Sequence, residues 1–428
     1  MARIEKVKGV LNRVLSRVCL DKDKEQEIYS HTNEFILDLK KVLTKHKIKA
    51  DIFLGGSVAK KTLIKKSEYD IDVFLRFPEK DTDENLNKAI SKIKEINGIK
   101  PRTVKGSRNY LQFRKNKEVF EVIPTTKISK PTKARNVTDL SYFHVNYVEK
   151  CVKKNKKLGN EIKLAKAFVY GSGCYGAESY IKGFSGYAVE LLACYYKSFM
   201  GFVRAIATSK DKIVLDPSRF YKNKNQVLEN MNESKLFSPM ILVDPTFKER
   251  NALAALSQET FDKFKDYCKK FLKKPNMEFF ELKEIDLGKL KNKARKKKMD
   301  FVKIIARTDK QEGDIAGSKL LKFFNYLVRQ LERYFDLETN EFEYPGEQIA
   351  RYYFVIKPKK TILHVGPPLD KRVGVEAFKK KHKKTAIKKG RIYAEEKLDI
   401  TLDKFLKKFQ KDDKKVMLDM GITKIELV

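Results

Sequence analysis

The chain has 428 residues, 42% of them hydrophobic, with 28 Phe and 19 Tyr, enough to build cores for about two to four globular domains. Its 93 Lys and Arg outnumber 56 Asp and Glu, giving a formal net charge of +37; with no amphipathic membrane-seeking segment in view, nucleic acid is the expected polyanionic partner. The longest apolar runs, such as Ala188 to Cys194, are too short to span a bilayer, and Met1 to Leu20 lacks a signal-like apolar core.

In chain order, residues 1 to 20 and about 23 to 46 read as two packing helices. Ile4, Val7, Val10, Leu11, Val14 and Val18 recur at helical spacing in the first, and Ile28, Phe35, Ile36, Leu39 and Leu43 in the second. An apolar run, Asp51 to Leu54, then breaks at Gly55-Gly56-Ser57, and a second strand follows thirteen residues after that serine as Tyr69-Asp70-Ile71-Asp72-Val73. A helix is expected over Asp83 to Ile96, then strands over Asn109 to Phe113 and Glu118 to Ile123, joined by a basic turn. From Asp139 to Phe271 the pattern is helical: Asp139 to Lys156, Asn160 to Tyr170, Ser185 to Ile206 and Ser257 to Leu272, with loops at Leu215-Asp216-Pro217 and Val243-Asp244-Pro245. Beyond Pro275, strands at Phe301 to Ala306 and Tyr352 to Lys357, a helix at Lys319 to Phe335 and a lysine-dense stretch from Lys379 to Lys389 indicate an α+β C-terminal domain. That lysine run is either a solvated face or a phosphate-backbone contact. Cys19, Cys151, Cys174, Cys194 and Cys268 show no Cys-x-x-Cys spacing and no nearby His pair, so neither a disulfide framework nor a cysteine zinc site is expected, and a reducing cytoplasm is.

Two motifs carry chemistry. Gly56-Ser57 at a strand end offers backbone N–H groups and a hydroxyl to a phosphate, with Lys60 and Lys61 nearby. The Walker spacing is absent, so it is not a P-loop. Asp70 and Asp72, two apart on a strand, point to one face. Taken alone they are also compatible with an exposed strand face, but mutual repulsion is relieved by a hard divalent ion, Mg²⁺ or Mn²⁺. Together, a phosphate turn and a carboxylate pair make the two halves of a nucleotidyl-transfer site, which calls for a third carboxylate on a neighbouring strand. Glu121, alternating with Val119 and Ile123, supplies it; Glu118 is a substitute that should face the other way.

These residues resemble the polymerase-β-like nucleotidyltransferases. Within them the chain is similar to the archaeal, class I CCA-adding tRNA nucleotidyltransferases, through Tyr175-Gly176-Ala177-Glu178, Lys182 to Tyr187 with Glu190-Leu191-Leu192, Val243-Asp244-Pro245 with Arg250 to Ser257, and Gly366-Pro367-Pro368. The resemblance implies an α+β multidomain fold: a nucleotidyltransferase palm over 1–138, a helical nucleobase-selecting neck over 139–274, and a tRNA-binding body and tail over 275–428. It implies Asp70, Asp72 and Glu121 as catalytic metal ligands, although the third carboxylate of the family is usually aspartate. Gly56, Ser57, Lys60, Ser141, His144, Lys166 and Tyr175 would hold the nucleotide, and Arg250 would face its base.

Read without the resemblance, His144 is also a core or capping histidine, Lys166 one lysine among many, Tyr175 a helix-end packing residue, and Arg250-Asn251 the start of a solvated helix. The activity implied is template-independent addition of C, C and A to the tRNA 3′ end from CTP and ATP, with Mg²⁺ as cofactor and Mn²⁺ as its alternative. The partners implied are the acceptor and TΨC arms of tRNA, with a homodimer among the assemblies it admits. The alternatives are a poly(A) polymerase or other terminal nucleotidyltransferase, and a non-catalytic RNA-binding protein on the same fold.

Overall fold

The computed structural model describes residues 2–382 and 384–428, with side chains from residue 5 onward. Ile4 of the first helical stripe and Lys383 of the lysine run therefore lie outside the described side chains. The chain divides into two compact units, Met1–Lys283 and Glu284–Val428.

The first unit opens with helices α1 (Ala2–Val18) and α2 (Lys22–Lys45). Next come β1 (Asp51–Leu54), the single-turn α3 (Gly56–Ala59), β2 (Tyr69–Pro78), α4 (Asp83–Ser91), β3 (Arg102–Val104), β4 (Tyr110–Lys115) and β5 (Glu118–Lys127). The strands form one sheet in the order β1-β2-β5-β4-β3. Only the central pair, β2 and β5, is parallel, and its register sets Asp72 beside Glu121. Alternation does the rest: Ile71, Val73, Phe120 and Val122 are fully buried on the face covered by α2 and α4, where the Phe35 ring stacks on Phe120 at 4.1 Å. The opposite face carries Asp70, Asp72 and Glu121. Helix α4 ends at Ser91, short of the expected Ile96, because the chain turns into a tight bridge between Ile96 and Ile99.

The helical part holds α5 (Ser141–Lys154), α6 (Leu158–Gly171), α7 (Gly186–Tyr196) and α8 (Phe199–Thr208). The single helix expected over Ser185 to Ile206 is two: Lys197 takes φ 60°, and the Ser198 side chain caps α8 by accepting from the Gly201 N–H at 3.0 Å. A second departure is β-structure where only loops were expected. After β6 (Ile213–Leu215), two short helices, α9 (Lys224–Asn230) and α10 (Glu233–Leu236), lead to β7 (Met240–Asp244) and β8 (Phe247–Asn251). These strands make a small sheet, and every residue of β7 is buried. Asn251 is a structural residue there, its side-chain oxygen accepting from the N–H groups of Leu242 and Leu253. Helix α11 (Gln258–Lys273) closes the core through Phe261, Phe264, Cys268 and Phe271, gathered around Phe168 of α6.

Two segments depart from the expected boundaries. Val10 and Val14 of α1 pack into the core of the helical part, not that of the sheet, and so does the 3₁₀ turn Met277–Phe280. An amphipathic stripe fixes that a helix is buried without fixing against what.

The second unit comprises α12 (Leu287–Lys297), β9 (Asp300–Thr308), α13 (Asp314–Leu331), β10 (Phe335–Glu343), β11 (Ile349–Pro358), β12 (Thr361–Pro368), α14 (Arg372–Lys381), β13 (Thr385–Lys388), β14 (Arg391–Lys397), α15 (Leu402–Asp412), α16 (Lys414–Asp419) and β15 (Ile422–Leu427). One sheet, β10-β11-β9-β15, is covered by α13 and α15; the other, β12-β14-β13, carries α14. Among the described residues no helix is long and apolar enough to cross a membrane.

Candidate active site

A cavity of about 570 Å³ lies over the polar face of β2 and β5, walled on its far side by α5, α6 and α7. Gly55 and Gly56 bring the chain across the strand end. The Gly55 N–H donates to the Asp72 carbonyl at 2.8 Å, while Gly56 has φ 60° and a Cβ there would lie 1.8 Å from Asp72 Oδ2. Both the backbone conformation and the close approach therefore require glycine. The turn sets Ser57 and Lys60 at the cavity wall with Asp70, Asp72 and Glu121.

The carboxylates feel each other. Burial first, and then repulsion from Asp70, push Asp72 up to about 6 against the pull of Lys60. Burial and the neighbouring Asp72 push Glu121 to about 7, opposed by a hydrogen bond from Gln112 Nε2 at 3.1 Å. Gln112 and Tyr110, both on β4, thus hold the Glu121 side chain. Three carboxylate side chains on one sheet face, with the ionised forms of Asp72 and Glu121 disfavoured by burial and by their neighbours, fit a hard divalent cation, which would favour those ionised forms. Glu118 does face the opposite way: its buried carboxylate lies under α2, 3.5 Å from His31 Nδ1 and 3.8 Å from Lys24 Nζ.

Lys60 and Lys166 both line the cavity, but neither is a free cation. Glu190 of α7, fully buried, accepts from Lys60 Nζ at 2.6 Å, Lys166 Nζ at 2.7 Å and the Thr62 hydroxyl at 2.9 Å. Burial alone would raise Glu190, yet the two ammonium groups outweigh it and hold the carboxyl at about 2. Lys166 is lowered to about 8, by burial first and partly by Lys60, against the attraction of Glu190.

His144 and Ser141, at the start of α5, reach the same cavity. The position of α5 is set by Asp139, whose buried carboxylate is clamped by Arg108 and accepts from the Thr126 N–H at 2.7 Å. The His144 ring stacks on Tyr187 at 4.0 Å, and its Nε2 stands 3.0 Å from Asp244 Oδ2. Burial holds the imidazole below its ordinary pKa against the pull of Asp244. Asp244, at the β7–β8 turn, also accepts from Arg250 Nη1 at 2.6 Å, Tyr187 at 3.1 Å and the Thr246 hydroxyl at 2.7 Å. Those donors and His144 keep its carboxyl well below the usual range despite burial. Arg250 is joined to the cavity through this carboxylate and is not part of the lining; it lies on β8, not at a helix start. Tyr175 also lines the cavity, packed so closely on Gly186 at the start of α7 that a Cβ there would come within 2.6 Å of its hydroxyl.

Glu190, Asp244, Tyr187 and Tyr110 belong to the site, and no role is readable for them from sequence spacing alone. Glu190 has one signal, a lone charge inside the apolar run Ala188 to Cys194.

A nucleotidyltransferase-domain family matches residues 38–132, and the family "tRNA nucleotidyltransferase, second domain" matches residues 160–281. The CCA-adding enzyme of Nanoarchaeum equitans is 31% identical to the chain over 346 residues, covering 80% of this chain and 83% of that protein. The chain belongs to the CCA-adding enzyme family. The family members of Methanococcus maripaludis and Methanocaldococcus jannaschii are 29% and 25% identical, covering 86% and 91% of this chain and 83% and 87% of theirs. Among solved structures, a cytoplasmic RNA terminal U-transferase matches with TM-score 0.51 at 12% identity, over 66% of this chain and 99% of that one. The Cid1 poly(U) polymerase matches with TM-score 0.51 at 13% identity, over 65% and 99%. These two likenesses concern the fold, a polymerase-β-like nucleotidyltransferase of α+β class. Nucleotidyltransferases of this superfamily generally use divalent metal ions.

Proposed function

We propose that the chain adds C, C and A to the 3′ end of tRNA from CTP and ATP without a nucleic-acid template, releasing pyrophosphate. The observation that carries this reading is the convergence of Asp70, Asp72 and Glu121 with Ser57, Lys60, Lys166 and His144 on one cavity, in a chain of the CCA-adding family. Asp70, Asp72 and Glu121 would hold Mg²⁺, with Mn²⁺ able to replace it. Such ions neutralise the triphosphate and favour loss of the proton of the attacking hydroxyl.

The protein's part is mostly positioning, as phosphoryl transfer requires. Ser57 and the Gly56 backbone orient the triphosphate at the strand end. Lys60, Lys166 and Tyr175 complete its grip, with Glu190 holding both ammonium groups at the cavity wall until a phosphate competes for them. Ser141 and His144 contact the nucleotide, and the Asp244 network sets His144, Tyr187 and Arg250 on the side where the base would lie. The sheet part carries the chemistry and the helical part selects the base. The basic C-terminal unit holds the acceptor and TΨC arms by shape and phosphate contact. A reducing cytoplasm suits the five free cysteines.

The test is incubation with a tRNA minihelix lacking its CCA end and single nucleotides, with Asp70→Ala as the blank. Incorporation of C before A is expected. Long A-only tails would identify a poly(A) polymerase instead, and no metal-dependent incorporation would leave an RNA-binding protein.

A further inference from the structure

The second unit holds a different constellation. His364 on β12, His382 at the C-cap of α14 and Glu396 on β14 each bring one donor atom to within 4.8 Å of the others. Strand register accounts for two of them: His364 pairs with Ala394, which sets Glu396 one diagonal away on the same face. His364 Nε2 and Glu396 Oε2 are 3.0 Å apart. The third arrives because α14 packs on β12 and stops there, the His382 ring lying 4.7 Å from His364 and 4.5 Å from Phe378. The chain has only five histidines, and two of them meet at this point with a carboxylate.

We propose that His364, His382 and Glu396 form a site for a zinc-class divalent cation, completed by water, that clips the end of α14 to the β12–β14 sheet. Two imidazoles and one carboxylate are a donor set for borderline ions such as Zn²⁺, whereas the all-oxygen set of the nucleotide cavity suits Mg²⁺. Tetrahedral ligands at about 2.0–2.1 Å from an ion stand roughly 3.3 Å from one another. The His364–Glu396 pair is already near that spacing, and the other separations have to close by no more than about 1.5 Å, within reach of ring rotation at the partly exposed His382. None of the five cysteines takes part. The ion would fix the helix end from which Lys379, Lys380 and Lys381 project, and so order a basic edge of this unit.

The experiment is calorimetric titration of the purified full chain, free of affinity-tag histidines, with ZnCl₂ in excess Mg²⁺. One equivalent bound is expected, with affinity weakened at least tenfold in His364→Ala, His382→Ala and Glu396→Gln. Co²⁺ in place of Zn²⁺ should give a visible absorption band that disappears in the same variants. Unchanged circular dichroism and an unchanged melting temperature of the metal-free variants would show that they fold. No stoichiometric uptake by the wild-type chain would leave an ordinary His364–Glu396 ion pair. Uptake undiminished in the His364→Ala and His382→Ala double variant would put the ion elsewhere. Either result overturns the proposal.

Discussion

Replacing Glu190 by glutamine tests the electrostatics of the cavity wall. The change removes one negative charge and leaves Lys60 and Lys166, whose side chains are 9% and 5% exposed, facing an amide. Removing one partner of a buried ion pair costs about 3–5 kcal/mol. Lys60 can turn to cavity water, so the lower end applies, about 3 kcal/mol of a total typically near 5–15 kcal/mol. At roughly 2–4 °C per kcal/mol for a part of this size, the melting temperature should fall by about 6–12 °C at pH 7.

The deficit should also depend on pH. Lys166 has its folded pKa lowered to about 8, below its unfolded value, so between those limits the native state binds fewer protons and stability rises with pH. Loss of Glu190 lowers Lys166 further and starts that recovery earlier, so the gap to wild type should shrink between pH 7 and pH 9. Thermal unfolding followed by circular dichroism measures both effects, and Lys166→Met added to Glu190→Gln should recover part of the loss through coupling of neighbours. A shift below about 2 °C, or one identical at both pH values, would refute the network as the source of stability.

Glu121→Gln should abolish CTP incorporation, by on the order of 100-fold or more, while melting no lower than wild type, since it relieves repulsion with Asp72; near-normal turnover would remove Glu121 from the site. Asp72 and Glu121, raised to about 6 and about 7, lend stability as neutral acids that is full below about pH 4 and lost as pH rises through their folded values. Mg²⁺ binds their ionised forms, so its stabilising shift should be larger at pH 8 than at pH 5. An equal shift at both, or one retained in the Asp72→Asn, Glu121→Gln double variant, would contradict this. Asp244→Asn should raise KM for CTP and ATP about tenfold, equivalent to about 1.4 kcal/mol, by freeing His144, Tyr187 and Arg250; unchanged KM values would make the network purely structural. Replacing Lys379, Lys380, Lys381 and Lys384 by glutamine should reduce the log–log salt slope of tRNA binding by about 3; an unaltered slope would make them bystanders.

What could be read from sequence was local. Period-two alternation placed Asp70 and Asp72 on one face of their strand and turned Glu121 and Glu118 to opposite faces of theirs, because a strand offers only two faces, while the pairing of the two strands set Glu121 beside Asp72. What could not be read was pairing over distance. Glu190 meets Lys60 across 130 residues, and nothing in either neighbourhood announces the other. The break between α7 and α8 has no glycine or proline to mark it, since Lys197 itself adopts the left-handed conformation. Asp244-Pro245 looked like a loop because strands of three to five residues give too little alternation to register.

The placement of α1 bears on how the protein is made. Its Val10 and Val14 seal a core whose other walls come from residues 148 to 280, and its Arg17 pairs with Glu281 at 2.7 Å. During synthesis the helix leaves the ribosome long before those partners exist, and at about 5–20 residues per second it waits tens of seconds for them. In that interval its apolar stripe is open to chaperones, and the sheet can fold around its own core without it. Residues 2–18 are therefore the first of the described segments to emerge and among the last to dock.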